Sequence, residues 1–280
     1  MSWEEEYRSL VFATKFSRED LEAGFHLKYL NIPDKIYKYR NFNPDSLDNL
    51  INNTVWLGDP NKMNDPYDCC HRFDTSFICK QIDEKTVFKK VDEKNIPQLR
   101  SLLKEYMSRR NAEIISRLSA KVKSLFKFCS FSERINSILM WAHYADSHKG
   151  FCIEYPSKSF PETHFSSRFL HPVIYSDELF DASEILKNLP DCNIRMNLAG
   201  LYKARDWEHE KEWRLLFTNG IAPNATAFKL PVKPSAVYLG SEMLEENKTE
   251  IRRICKTLEI PVFQIVHSVH KYEMVVKGDV

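Results

Sequence analysis

Glycine is scarce in this chain, with seven in 280 residues, and neither a GxGxxG nor a GxxxxGK[ST] run occurs. The backbone loops that cradle phosphates at strand-to-helix turns are therefore excluded, and any nucleotide would have to be held by side chains. Long apolar runs are missing as well: none approaches the roughly 18 residues of a membrane span. The opening MSWEEE is acidic where a signal peptide would be basic and then apolar. A cytoplasmic location is the expectation. Excess charge of one sign is absent too, since 40 basic residues face 39 acidic ones for a net +1. The chain as a whole has no electrostatic reason to seek nucleic acid or anionic lipid. Seven cysteines, an odd number with no CxxC pair, make neither a disulfide framework nor a cysteine zinc site. They are expected to pack as small hydrophobes.

What is present suffices for a full core, with 43% hydrophobic residues. Residues 1–34 suggest a helical lead-in, and 36–40 alternate as a strand. Asn43 and Pro44 read as cap and first turn of a helix, followed by a strand at 54–57 and an Asn-, Asp- and Pro-rich loop at 58–66. Apolar spacings of three and four from 81 to 126 predict a basic helical insertion. Arg109, Arg110, Lys121, Lys123 and Lys127 could meet phosphates there, although a solvated face is the simpler reading. Further strands are predicted at 126–131, 150–155, 173–175, 213–218, 236–239 and 261–266. Helices are predicted at 137–147, with Gly150 as its stop, at 182–204 and at 242–258. The loop 156–172 is expected to be the least ordered stretch. Strands and helices mingle without regular alternation, which predicts an α+β fold with a mixed or antiparallel sheet, one domain over 1–280 carrying the 81–126 insertion.

Four groups of residues could carry chemistry. Arg40 at a strand end can bind a diphosphate or carboxylate through paired hydrogen bonds, or a neighbouring Asp45 or Asp48. Asn64 and Asp65 could hold a ribose or a metal, or simply make a turn. On the helix after 130–132, Ser137, Trp141, Tyr144 and His148 share a face with His143 offset from it, suited to stacking on a flat heterocycle or to core packing. Glu208, Glu210 and Glu212, if extended, lie on one side, where mutual repulsion raises their pKa values, or they form a soluble edge strand with charge pairs to Lys211 and Arg214.

The order YKYR (37–40), TVWL (54–57), MNDP (63–66), CSFS (129–132), MWAHYAD (140–146), HKGFCIEY (148–155) and WEHEKEWR (207–214) resembles the bacterial family catalogued as domain of unknown function 2971, over about 35–270. More distantly the order is similar to ADP-ribosyltransferase-like domains with their split sheet. That similarity implies NAD as substrate and an unknown macromolecular acceptor, protein or nucleic acid, or water. By it, Arg40 would hold the diphosphate, Ser130 or Ser132 would brace the nicotinamide ribose, and Trp141 or Tyr144 would stack on nicotinamide. Glu210 or Glu212 would stabilise the oxocarbenium-like cation formed as nicotinamide leaves. Such a domain is compatible with a toxin or phage-defence role. Two other readings compete: a metal-dependent nuclease or hydrolase using Asp65, His143, His148 and Glu212, and a non-enzymatic nucleotide-sensing or interaction module.

Overall fold

Capped helices and alternating strands organise the computed structural model, which describes residues 1–73, 93–183, 194–218 and 227–277. Ser2 and Ser17 each accept from the backbone three residues on and receive a carboxylate in return, starting the helices Trp3–Val11 and Arg18–Asn31. Asn43 caps Pro44–Asn52 by accepting from the Ser46 amide at 2.8 Å, and Asn53, left-handed at φ 52°, ends it.

Fourteen strands can be followed along the described chain. They are β1 (Ile36–Arg40), β2 (Thr54–Trp56), β3 (His71–Arg72), β4 (Phe126–Ser132), β5 (Phe151–Tyr155), β6 (Leu170–Pro172) and β7 (Ile174–Ser176). After these come β8 (Phe180–Asp181), β9 (Tyr202–Ala204), β10 (Glu212–Thr218), β11 (Ala227–Lys229), β12 (Ala236–Leu239), β13 (Val262–His267) and β14 (Met274–Val276). Eight of them build one mixed sheet in the order β14-β13-β12-β5-β1-β4-β10-β6. Within it only β12 and β13 run parallel, joined by the helix Glu245–Leu258, and every other pair is antiparallel. The fold is α+β.

Register sorts the side chains. On one face Ile36, Phe131, Ile153, Tyr155, Trp213, Leu215 and Val237 form a core with Leu50 and Ile251 from the helices that cover it. On the other face two separate apolar clusters form. Tyr37, Tyr39, Cys152 and Tyr238 pack on the helix Ile138–Tyr144, while Phe126, Phe128 and Leu216 pack on Tyr7, Val11, Leu198 and Ala199. The polar positions of β4 and β10 lie between those clusters.

The sheet parts at this place. β1 shares five residue pairs with β5 but only one, Tyr37 with Ser132, with β4. At the next residue of β1, Lys38 donates across the gap to the Ser130 carbonyl at 2.7 Å. Further on, Gly58 from the loop after β2 pairs with Phe128, giving and receiving a backbone hydrogen bond. The chain from Gly58 to Cys70 thus wedges the two strands apart.

Several boundaries differ from expectation. Of the helix predicted at 182–204, residues 184–193 lie outside the described residues; its end, 194–204, is a single turn, Met196–Ala199, followed by β9, because Tyr202–Ala204 finds a parallel partner in β7. Gly150 does not stop the helix, which has already ended at Tyr144. Its role is close approach: a Cβ there would sit 2.1 Å from the Arg40 carbonyl oxygen. The stretch 156–172, expected to be poorly ordered, carries the short helix Phe165–Arg168 and buries Phe160, Ser166 and Ser167. Of the 81–126 segment, 93–126 is described and holds the 28-residue helix Ile96–Lys123; 81–92 and the side chains of Arg109 and Arg110 lie outside the described residues. Among the described residues no helix is long and apolar enough to cross a membrane.

Candidate functional site

The parting of β1 from β4 opens a cleft of about 500 Å³ on the face between the two apolar clusters. β1 lines it with Tyr37, Lys38 and Tyr39, β4 with Ser130, Phe131 and Ser132, and the wedging loop with Met63, Asn64 and Asp68. Met140 and Tyr144 come from the helix Ile138–Tyr144, and Lys203, Glu210 and Glu212 close the far wall.

Backbone geometry brings the two glutamates together. The segment expected to be extended, Arg205–Glu210, is a 3-10 helix, and Lys211 is left-handed at φ 44°, so β10 begins only at Glu212. The chain turns back on itself between the two carboxylates instead of presenting them by strand alternation. Glu208 is left outside, within 3.8 Å of Arg205 and 3.5 Å of Lys211. The Ser132 hydroxyl donates to the Glu210 carbonyl at 2.5 Å and accepts from the Arg134 amide at 3.0 Å. Ser132 therefore holds this turn and has little left to offer a ligand.

A charged network lies behind the cleft wall. Lys203 donates to Glu210 Oε2 and, at 2.9 Å, to Glu212 Oε2, with Asp68 at 3.9 Å. Arg214 is wholly buried and donates from Nε to Glu212 at 2.7 Å and from Nη2 to Asp68 at 2.8 Å. Its Nη1 donates to the Gly200 carbonyl at 2.8 Å, and the guanidinium lies 4.3 Å from the Phe128 ring. Three carboxylates therefore share two cations in this network.

Electrostatics separates the two glutamates. Burial alone would raise the Glu212 pKa, but Arg214 and then Lys203 overcome it, and the carboxyl is held well below the usual range. Glu210 moves the other way: burial and then the Glu212 charge raise it, with Lys203 only partly offsetting them. Its Oε1 accepts from the Tyr144 hydroxyl at 2.5 Å. Burial opposes the charge of Lys203, yet the surrounding carboxylates leave its pKa raised. At the opposite lip burial depresses the Lys38 ammonium, its carbonyl partner at Ser130 notwithstanding. The site thus pairs a fixed anion, Glu212, with a carboxyl whose proton affinity is raised, Glu210, in a cleft walled by Tyr37, Tyr39 and Tyr144.

Of the residues singled out in the sequence, Asn64, Ser130, Ser132, Tyr144, Glu210 and Glu212 line the cleft. Arg40 does not. Alternation along β1 puts Lys38 and Arg40 on the face of Ile36, opposite the one that carries Glu212, and only Lys38 reaches back through the gap. Arg40 pairs with neither Asp45 nor Asp48; its Nε and Nη2 are buried without a hydrogen-bond partner among the described residues. Trp141 is fully buried, donating from Nε1 to the Ile135 carbonyl at 2.7 Å and meeting Tyr39 edge-on, so it cannot stack on a ligand. His143 is exposed against Trp207, Asp65 accepts from the Tyr67 amide in a turn, and His148 lies against His267. Among the described residues no group of three or more His, Cys, Asp or Glu is gathered as metal ligands.

Lys38, Asp68 and Lys203 were not singled out, and Arg214 only as a charge partner of the glutamates on an edge strand. Arg214 was legible, because it follows Glu212 by two in a strand and so shares its face. Asp68 and Lys203 were not, since they arrive from a loop and a short strand placed only by tertiary packing.

Residues 140–215 match a family model described as a protein of unknown function, DUF2971. The matched stretch contains Tyr144, Lys203, Glu210, Glu212 and Arg214, and excludes β1 and the wedging loop. No curated protein and no solved structure matches the chain.

Proposed function

We propose that the cleft binds NAD and breaks the bond between nicotinamide and ribose, passing the ADP-ribosyl group to an acceptor in the ADP-ribosyltransferase-like manner. The observation that carries this reading is the pair of buried carboxylates, Glu210 and Glu212, on an aromatic-walled cleft where the sheet splits. Nicotinamide in NAD is a flat cation, and its departure leaves positive charge on the ribose. A pre-positioned anion in a water-poor site stabilises that charge without reorganising.

The geometry supports a division of roles. Glu212, kept ionised by Arg214 and Lys203, is the fixed negative charge. Glu210 is the carboxyl able to take a proton from the incoming nucleophile, its orientation set by Tyr144 and Lys203. Tyr37, Tyr39 and Tyr144 supply ring surface, and Ser130 a hydroxyl. Lys38, on the far lip, replaces Arg40 as the cation nearest a diphosphate.

Purified protein incubated with NAD and cell lysate, followed for free nicotinamide, tests the reading. Glu210→Gln should keep the circular dichroism spectrum and lower nicotinamide release about 100-fold or more. If wild-type protein neither releases nicotinamide nor binds NAD by calorimetry, the reading is wrong.

A further inference from the structure

A row of polar side chains crosses the sheet at the cleft. Register sets Glu212 beside Ser132, Ser132 beside Tyr37, and Tyr37 beside Glu154 of β5, so all four share one face. Glu212, Ser132 and Tyr37 line the cleft, and Glu154, 2% exposed, stands behind Tyr37. The Glu154 carboxylate accepts from the Ser235 hydroxyl at 2.8 Å, the Tyr238 hydroxyl at 2.8 Å and the Lys35 ammonium at 3.0 Å. Burial opposes its charge, yet these donors hold its pKa below the usual range. An ionised carboxylate can only accept. The Tyr37 hydroxyl therefore turns its proton to Glu154, and burial, followed by the Glu154 charge and hydrogen bond, raises its pKa.

The other hydroxyls on the wall are committed in the same sense. Tyr39 donates to the Arg134 carbonyl at 2.5 Å, Tyr144 to the Glu210 carboxylate at 2.5 Å and Ser132 to the Glu210 carbonyl at 2.5 Å. Ser130 bonds the Glu212 carboxylate. All five hydroxyls that line the cleft thus give their protons to the protein and offer a ligand only lone pairs. A ligand group seated on them has to bring its own N–H or O–H, because an acceptor there would meet oxygen lone pairs with no proton between. Tyr37 lies where β1 parts from β4 and the cleft opens. A phenol backed by a neutral hydroxyl or amide could turn round and donate; backed by a carboxylate, it stays an acceptor.

We infer that the cleft selects a flat ring bearing a primary carboxamide over the same ring bearing a group without N–H, with Tyr37 accepting the amide proton and Glu154 the positioning residue that keeps Tyr37 an acceptor. The identity of the ring, nicotinamide, rests on the NAD reading of this cleft.

The probes are nicotinamide and its acetyl analogue, in which a methyl replaces the amino group. Both are neutral and nearly equal in size, so neither charge nor shape separates them. Binding to the full chain is measured by calorimetry. Wild type should prefer nicotinamide about tenfold, the scale set by leaving a buried acceptor unpaired. Glu154→Gln supplies Tyr37 with an N–H to accept and releases its proton, and Tyr37→Phe removes the acceptor but keeps the ring. In each variant the preference should fall to within about threefold, with the circular dichroism spectrum unchanged. A purely structural Glu154 would weaken both probes alike and leave their ratio alone. Tyr37→Phe leaves the Glu154 bonds to Ser235, Tyr238 and Lys35 in place, so the test stands even if Glu154→Gln does not fold. Binding of neither probe by wild type, equal binding of the two, or a preference that survives in either folded variant would each overturn the inference, even where nicotinamide is released from NAD. An amide preference that depends on Glu154, with no NAD bound and no nicotinamide released, would instead sink the NAD reading and leave a carboxamide site standing.

Discussion

Two regions of this molecule bury a cation beneath the same sheet face, and they treat it in opposite ways. Behind the cleft, Arg214 and Lys203 meet three carboxylates and border a cavity. Beneath β6, Lys28 is 1% exposed and meets no carboxylate among the described residues; its ammonium donates to the carbonyls of Ser167 and Arg168 at 2.7 and 2.8 Å. Burial depresses the Lys28 pKa, whereas carboxylates raise that of Lys203. Near Lys28, the Tyr7 hydroxyl lies 2.6 Å from Nδ1 of the buried His171. Lys28 finishes a short helix by satisfying its last carbonyls; the other cluster presents two carboxylates, Glu210 and Glu212, at a wall a ligand can reach. Burial of charge alone does not mark a site. Whether the buried groups face a cavity does.

The comparison can be broken most forcefully at Arg214. Arg214→Met leaves Asp68, Glu210 and Glu212 with Lys203 alone, and removal of one partner from a buried network costs about 3–5 kcal/mol. Urea denaturation should register that loss, and a change below about 1 kcal/mol would mean that the network is solvated. Acid tests the neutral side of the interior. His71 and His171 are buried, and desolvation first of all lowers both, His71 from 6.5 to about 4. The unfolded chain takes up their protons below pH 6.5 while the folded chain resists. Their contribution is therefore complete above pH 6.5 and falls by roughly 1.4 kcal/mol per pH unit for each group as acid is added. Urea midpoints between pH 7 and pH 5 should decline accordingly, and the slope should be shallower in His71→Gln. Glu212 acts lower: with its pKa depressed, its stabilisation is present above the ordinary carboxylate range and is lost only as pH drops beneath it.

Smaller effects sharpen the contrast. Tyr144→Phe removes the hydrogen bond to the Glu210 carboxylate, which should cost about tenfold in turnover and shift the acid limb of the pH profile upward, since Glu210 loses a donor that favours its charged form. Lys28→Met should change stability by no more than about 1 kcal/mol, because relief of a desolvated charge offsets two unsatisfied carbonyls. The smallest change is expected at Arg40. Arg40→Met should leave KM for NAD within about twofold, whereas Lys38→Met should raise it severalfold; the reverse ranking would restore Arg40 to the site.

How much of the site was readable depends on how each residue is placed. Tyr144, Glu210 and Glu212 were reached from the spacing of the helix and of the glutamates, and Ser130 from the family resemblance; all four line the cleft. The same logic misjudged Arg40 and Trp141. For Arg40, period-two alternation was known, but which face of β1 would meet β10 was not. For Trp141, the helix offers two aromatics at neighbouring angles, and only packing against Tyr39 tells the buried one from the lining one. The expected convergence of three glutamates became a pair because Lys211 adopts a left-handed conformation that no residue pattern announces.

By itself the chain's residue pattern determined the capped helices, most long strands, the α+β class and the two glutamates worth attention, all set by interactions within a few residues. The parting of β1 from β4, the face on which Arg40 lies, and the arrival of Asp68 and Lys203 beside Glu212 were decided only by tertiary structure. These depend on which distant segments fill the gap between strands, and local propensity carries no term for that choice.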